Sequence, residues 1–291
     1  MEHTFEENIL GFEHKEVILG IDEAGRGPVL GPMVYACLFY PKENEDLLKK
    51  INVDDSKRLS SQNRDKIYDK IKNLKDKFGW RIHIMSPEYL SCEMHRKKKN
   101  NLNEISHLAA ISKFIQINYY IFMLLDLIKY VINNKVNVKE IYIDTVGPPD
   151  SYRNKLINIF PGINITVKPK ADSLFPSVSG ASILAKVKRD DILSNWWGQT
   201  SIECCDFNGN KISNYEQGSG YPGDPKTREF LRRIFDPIFG FPNIVRFSWS
   251  TASEIIEKSG YSVTWGENEL NNSQQKIEFN RPQKNCKLFI F

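Results

Sequence analysis

Residues 20–31 read Gly-Ile-Asp-Glu-Ala-Gly-Arg-Gly-Pro-Val-Leu-Gly, and the fold can be worked out from this stretch. The apolar run Val17–Ile21 has the composition of a buried strand. It leads directly into two acids, Asp22 and Glu23, and a carboxylate at the end of a buried strand is costly unless a cation or hydrogen-bond donors compensate it. The pattern favours a metal site at this strand end, although a tight turn with solvated acids would contain the same residues.

An arginine between two glycines, Gly25-Arg26-Gly27, follows the acids. Glycines allow backbone N–H groups to approach a ligand closely, and a guanidinium group suits an anion such as phosphate. The segment therefore predicts an anionic ligand.

The composition is that of a globular protein. A hydrophobic fraction of 41% in 291 residues is enough for a core, and a net charge of +4 is compatible with a polyanionic ligand without establishing one. Five cysteines with no C-x-x-C pair argue against a disulfide framework or a zinc ribbon. No signal segment or unbroken apolar span is evident, so we expect a soluble, intracellular protein that does not bind a membrane.

Periodicity predicts five strands, and residues 1–15 are polar and give no signal. The strands are the run ending near Asp22, then Met33–Tyr40, Trp80–Ile84, Glu140–Asp144 and Ile163–Val167. We expect the first three to be antiparallel and the last two to be parallel and linked by a helix.

Helical patterns separate and follow these strands. Helices are predicted behind a cap at Ser60 or Ser61, from Ser86-Pro87-Glu88, over about Ser151–Phe160 and Ser177–Trp197, and near Lys226–Phe235 and Ser250–Lys258. The segment from about Asn103 to Asn133 is predicted to be one long amphipathic helix or a broken pair of helices. Asp22 and Asp144 end strands and Asp172 precedes a helix, so all three should meet at one edge of an open α/β sheet.

Further motifs extend this pattern. They are Asp54-Asp55-Ser56-Lys57, Ile143-Asp144-Thr145-Val146-Gly147, Lys170-Ala171-Asp172, Ser182–Val187, Gly218–Thr227, Phe241-Pro242 and Val245–Trp249. Together with Asp22–Pro28 they resemble the type 2 ribonuclease H family over roughly residues 16–260, and within it the eukaryotic catalytic subunits.

The resemblance implies an α/β, ribonuclease H-like fold: a five-stranded mixed sheet flanked by helices, with a helical C-terminal extension. The expected organisation is a polar segment over 1–15, a catalytic domain over 16–200, a C-terminal helical extension completing the site over 201–260, and a tail over 261–291 that contacts partners.

The activity that the resemblance implies is hydrolysis of the RNA strand of RNA–DNA hybrids and cleavage 5′ of single ribonucleotides embedded in duplex DNA. The products would carry 3′-hydroxyl and 5′-phosphate ends, and the roles would be ribonucleotide excision repair and removal of replication primers. By the same resemblance two Mg²⁺ or Mn²⁺ ions are bound by a catalytic quartet, which comprises Asp22, Glu23, Asp144 and Asp172. Hard carboxylate oxygens suit these ions.

Neighbouring residues on a strand point to opposite faces, which poses a question about Asp22 and Glu23. Both side chains can aim at one metal pair only if the strand ends or bulges at Glu23. Whether Glu23 binds metal through its side chain or its backbone stays open.

The substrate-binding residues that the resemblance implies are Gly25, Arg26, Gly27, Lys57, Asn101, Lys186, Arg189 and Tyr221. Lys57 has the alternative of a solvated helix entrance, and Tyr221 that of a core-packing aromatic. The resemblance also implies a heterotrimer with two noncatalytic subunits, B and C, in the nucleus.

Two other functions remain in competition. Another nuclease of the same superfold would share the fold, but the Gly25–Gly27 turn and Tyr221 are suited to reading a 2′-hydroxyl. A catalytically silent nucleic-acid-binding subunit would not need all four acids.

Overall fold

The computed structural model describes residues 3–51, 53, 59–96, 123–144, 149–199 and 217–261. Within them six strands form one mixed sheet in the order β1-β4-β3-β2-β5-β6. The strands are β1 (His3–Asn8), β2 (Glu16–Ala24), β3 (Met33–Pro41), β4 (Gly79–Met85), β5 (Asn137–Asp144) and β6 (Asn164–Lys168).

The helices of the described residues lie between and after these strands. They are α1 (Glu45–Lys50), α2 (Ser61–Asn73), α3 (Pro87–Arg96), α4 (residues 123–133), α5 (Pro149–Ile159), α6 (Pro176–Gln199), α7 (Pro225–Ile234) and α8 (Ser250–Ser259). No helix among the described residues is both long and apolar enough to cross a membrane.

The predicted α/β fold class is confirmed. β2, β3 and β4 are antiparallel, and β5 and β6 continue the sheet as parallel strands beside β2. The Ser60 cap is also confirmed, since its hydroxyl accepts a hydrogen bond from the Asn63 N–H at 3.3 Å. Of the segment predicted as one long helix or a broken pair, residues 123–133 are helical; the rest lies outside the described residues.

The sheet has one strand more than the five predicted, because β1 pairs antiparallel with β4. Only Phe5 is apolar in this segment, so it carries no hydrophobic period. Polar contacts stabilise it instead: the Glu6 carboxylate bonds the ammonium of Lys72 on α2 and lies 3.1 Å from that of Lys188 on α6. The preceding residue, Phe5, contacts β4: the centre of its ring lies 4.2 Å from the guanidinium carbon of Arg81.

The central strands β2 and β3 are almost wholly buried, which explains their apolar sequences. Helix α6 packs directly on β2 at Gly20. A Cβ atom there would lie 2.2 Å from the carbonyl carbon of Ser177, so only glycine allows this approach. Gly20 lies two residues before Asp22 on β2, so this contact places α6 beside the part of the strand that carries the acid.

The chain divides into two compact units. The first comprises Met1–Arg26, Pro32–Ser86 and Asn100–Leu193 and contains the sheet. The second comprises Gly27–Gly31, Pro87–Lys99 and Ser194–Phe291. The predicted boundaries at 15, 200 and 260 stay predictions.

Candidate active site

Asp22 and Asp144 follow matching positions on neighbouring parallel strands. The ladder between β2 and β5 ends with the pair Ile21 and Ile143, and the next residue on each strand is the acid. Parallel strands place their carboxyl ends at the same edge of a sheet. The two carboxylates interact there, because the charge of Asp144 contributes to raising the pKa of Asp22.

Asp172 lies in the turn that follows β6. Lys170 adopts a left-handed conformation (φ 57°) and starts a short 3₁₀ helix, Ala171–Ser173. The Ala171 N–H donates to Asp144 Oδ1 at 3.1 Å, which fastens this turn to the end of β5. The Asp172 side chain is buried in the resulting structure, with 3% of its surface exposed.

Glu23 remains part of a regular strand. β2 stays paired with β3 through Ala24, with Glu23 opposite Tyr35, and the register shift between β2 and β5 lies at Val17/Ile18. The side chains of Asp22 and Glu23 therefore leave opposite faces of the strand. The Glu23 backbone does contact its neighbour, since its N–H donates to Asp22 Oδ1 at 2.8 Å.

Burial dominates the electrostatics of Asp22, which is 5% exposed. Loss of hydration raises the pKa of this carboxyl to about 7, with Asp144 acting in the same direction and a hydrogen bond from Ser182 opposing it. Lys186 donates to the Ser182 hydroxyl at 2.9 Å. A spacing of four residues puts Ser182 and Lys186 on one face of α6, so a chain of donors leads from the ammonium to Asp22.

These carboxylates have the oxygen chemistry that Mg²⁺ and Mn²⁺ prefer. The described residues nevertheless contain no group of three or more His, Cys, Asp or Glu side chains arranged to hold a metal. Among the four acids, the charge interaction of Asp22 with Asp144 is the one that shifts the pKa of Asp22.

Gly25 and Arg189 are packed against each other. Gly25 has φ +80°, and a Cβ atom on it would lie 2.4 Å from Arg189 Nε. The glycine is therefore required both for the backbone conformation and for the space that the guanidinium fills. Lys186 and Arg189 lie three residues apart on α6, and their roles as substrate contacts stay predictions. Lys57 and Asn101 lie outside the described residues.

Gly27 and Tyr221 are neighbours within the second unit. A Cβ atom on Gly27 would lie 3.1 Å from Tyr221 Cε1, and the tyrosine is 53% exposed. The alternative interpretation of Tyr221 as a core residue is wrong, because half of its surface is accessible.

The residues around Tyr221 form a network of hydrogen bonds centred on Asp224, the N-cap of α7. Asp224 Oδ2 accepts from the Ser219 N–H at 2.6 Å and hydroxyl at 2.7 Å, while Oδ1 accepts from the Lys226 N–H at 2.9 Å. These donors lower the pKa of Asp224 to about 2. The Gly220 N–H donates to the Thr227 hydroxyl at 2.9 Å. Together the contacts set the backbone that presents Tyr221.

Sequence patterns assigned no role to Ser182, although its four-residue spacing from Lys186 was a usable signal. Arg246 and Trp249 were likewise identified only as part of a motif. Their partners are Gly31 and Gly27, more than 200 positions earlier, and no local pattern reveals such contacts.

Comparisons with known proteins agree with this fold. The profile of the family described as Ribonuclease HII matches residues 19–252. The A subunit of ribonuclease H2 from Rattus norvegicus is 46% identical over 248 residues, which are 85% of this chain and 75% of that protein. The crystal structure of ribonuclease H2 from Pyrococcus horikoshii OT3 has a TM-score of 0.59 and 28% identity, covering 83% of this chain and 97% of that one. Bst-RNase HIII in complex with Mn²⁺ shares the fold alone, with a TM-score of 0.58 and 16% identity over 84% of this chain and 71% of that one.

The mixed sheet with acids at the ends of its parallel strands is the framework of a ribonuclease H-like nuclease. The chain belongs to the ribonuclease HII family. It is a ribonuclease H, a phosphodiester hydrolase that cuts RNA in RNA–DNA hybrids, and the resemblance found in its motifs is confirmed.

Proposed function

We propose that this ribonuclease H also cuts 5′ of single ribonucleotides embedded in duplex DNA, leaving 3′-hydroxyl and 5′-phosphate ends. It would serve ribonucleotide excision repair and removal of replication primers. The observation that carries the proposal is the exposed ring of Tyr221 beside Gly27, since a lone ribose must be recognised by groups dedicated to it.

Asp22, Glu23, Asp144 and Asp172 are the proposed catalytic and metal-binding residues. Asp22 and Asp144 already share a sheet edge, and the raised pKa of Asp22 reflects a buried charge that a cation would stabilise. The uninterrupted strand at Glu23 favours participation of its backbone over its side chain. Bound Mg²⁺ or Mn²⁺ ions would activate water and stabilise the leaving oxygen of the phosphodiester.

Residues of α6 complete the acid site on this proposal. Ser182 keeps the Asp22 carboxylate in place through its hydrogen bond, and Lys186 supplies positive charge to the same network. Arg189, packed on Gly25, would hold the substrate phosphate together with Arg26, and Lys57 and Asn101 would add further contacts.

Recognition of the ribose is assigned to the backbone of Gly25, Arg26 and Gly27 with Tyr221. Glycine backbone groups can approach a 2′-hydroxyl closely. The tyrosine hydroxyl can hydrogen-bond the same group, and its ring can stack on the following deoxyribose.

The test compares Tyr221→Phe and Tyr221→Ala on a duplex with one ribonucleotide and on a continuous RNA–DNA hybrid. The phenylalanine loses one polar contact, so kcat/KM on the single-ribonucleotide duplex should fall roughly 2–10-fold. The alanine variant also loses the ring, so its kcat/KM on the single-ribonucleotide duplex should be roughly tenfold lower still. Its loss on the hybrid should be smaller, because several riboses offer alternative registers.

Phe239→Ala is the matched control, because Phe239 is another exposed aromatic of the second unit, 64% accessible. Its ratio of kcat/KM values on the two substrates should equal that of the wild type. Equal losses on both substrates in Tyr221→Ala would contradict ribose recognition by Tyr221.

A heterotrimer with two noncatalytic subunits, B and C, and a nuclear location are further parts of the proposal. They are supported by similarity to the A subunit of ribonuclease H2, a name that implies other subunits. Purification of the tagged chain from its native cells should yield two stoichiometric partners, and fluorescence of the tag should be nuclear. A fully active monomer without partners would contradict the assembly.

A further inference from the structure

The segment Gly27–Gly31 is fastened inside the second unit by backbone hydrogen bonds. The Val29 N–H donates to Gly220 O and the Gly31 N–H to Ile244 O, both at 2.8 Å. The Arg246 N–H in turn donates to Val29 O at 2.9 Å. The conformation of this short segment is therefore determined by Gly220, Ile244 and Arg246, which come much later in the sequence.

Arg246 is the buried centre of this arrangement. None of its surface is exposed, and its Nε donates to Gly31 O at 2.9 Å. Its guanidinium carbon lies 4.8 Å from the centre of the Trp249 ring. A fully buried cation requires such contacts, so the positions of Arg246, Gly31 and Trp249 depend on one another.

Trp249 extends the arrangement to Gly27. Its indole N–H donates to Gly27 O at 3.3 Å. The backbone of Trp249 is itself fixed, because its N–H donates to Arg246 O at 3.1 Å and its carbonyl accepts from the first turn of α8. Gly27 has no side chain to limit its own torsions, so this hydrogen bond sets the direction of its carbonyl.

We propose that Trp249, supported by Arg246, is a positioning residue for ribose recognition: it orients the Gly27 backbone beside Tyr221. The proposal rests on the function proposed above, in which Gly27 and Tyr221 read the ribose. Trp249 does not touch the substrate on this view. Its effect is on discrimination between substrates and not on the cleavage chemistry.

The test is Trp249→Phe, which keeps a ring against the Arg246 guanidinium and removes the indole N–H. Trp196→Phe is the matched control, because the Trp196 indole N–H also donates within the second unit, to Asn243 Oδ1 at 2.8 Å. Both variants are assayed in the full chain for kcat/KM on the single-ribonucleotide duplex and on the continuous hybrid, and for Tm.

Trp249→Phe should lower kcat/KM on the single-ribonucleotide duplex roughly 2–10-fold more than on the hybrid, the effect of one lost hydrogen bond. Trp196→Phe should leave the ratio of the two values within about twofold of the wild type. An equal loss on both substrates accompanied by a lower Tm would mean that Trp249 only stabilises the fold, and would overturn the proposal.

Tyr221→Ala, assayed in parallel, separates this proposal from the one on which it rests. If Tyr221→Ala changes the substrate ratio and Trp249→Phe does not, the positioning role alone is overturned. If neither variant changes the ratio, ribose recognition by Gly27 and Tyr221 is overturned as well.

Discussion

Asp22 in the first unit and Asp224 in the second are both motif acids, yet their environments have opposite effects. Asp22 is buried in β2 just beyond its last pair with β5, and burial raises its pKa to about 7. Asp224 is surrounded by donors from Ser219, Lys226 and Thr227, which lower its pKa to about 2. A carboxylate whose charge is already satisfied serves as a helix cap, whereas one whose charge is poorly compensated is suited to binding a cation.

The largest expected effect is on catalysis by the first kind of acid. Asp22→Asn and Asp144→Asn preserve side-chain shape and remove the charge, so each should reduce cleavage of an RNA–DNA hybrid on the order of 10³-fold or more. Single-turnover assays measure the loss. Hybrid binding in EDTA and the circular dichroism spectrum should stay close to those of the wild type.

Asp224→Asn is the matched substitution at the second kind of acid. It should retain most of the hybrid-cleaving activity, because the cap does not take part in the chemistry. The distinction between the two acids would be contradicted if Asp22→Asn cleaved the hybrid at the wild-type rate. It would also be contradicted if Asp224→Asn cleaved it as slowly as Asp22→Asn.

The second prediction concerns stability against pH in the absence of divalent ions. The folded pKa of Asp22, about 7, lies above the ordinary value of 3.8, so between these pH values the folded state keeps a proton that the unfolded state has lost. The free energy of unfolding therefore falls as pH rises through this window, by up to about 4 kcal/mol at pH 7 and above.

Asp22→Asn avoids this loss. In EDTA its Tm should equal that of the wild type near pH 4 and exceed it by several degrees at pH 7.5. Asp65→Asn, at an exposed acid of α2, controls for loss of a surface charge and should show no such trend. A Tm of Asp22→Asn below that of the wild type at pH 7.5 would contradict the prediction.

The smallest expected effect is on the cap itself. Asp224→Ala removes the acceptor for Ser219 and Lys226 and should lower Tm at pH 7 by a few degrees. Because the folded pKa is below the ordinary value, the stabilisation is complete above pH 4 and is lost as pH falls towards 2. Thermal melts at pH 7 and pH 2.5 should show this difference shrinking, and a constant difference would contradict it.

Strands β2–β6 and the acids at their ends could be predicted because each signal is local. The apolar run of β2 and the alternating apolar residues of β5 each lead into an acid, Asp22 or Asp144. Asp172 follows a turn instead of ending a strand, so its place in the site was indicated by the helix after it and by its motif.

Two features could not be predicted because their causes are distant in the sequence. β1 has one apolar residue and is stabilised by Lys72 and Lys188, far along the chain from Glu6. The membership of Gly27–Gly31 in the second unit likewise depends on hydrogen bonds to residues from Gly220 onwards. Local patterns carry no information on either.

The attachment of Gly27–Gly31 also has a consequence for synthesis on the ribosome. β2 and β3 emerge early, but the groups that fix the segment between them emerge much later: Arg246 is 215 residues beyond Gly31, and Trp249 is 222 residues beyond Gly27. A nascent chain ending before Gly220 already contains Asp22, Asp144 and Asp172 but cannot complete this segment. The acids of the first unit are therefore made before Tyr221 and Trp249, on which the proposed selection of the substrate depends.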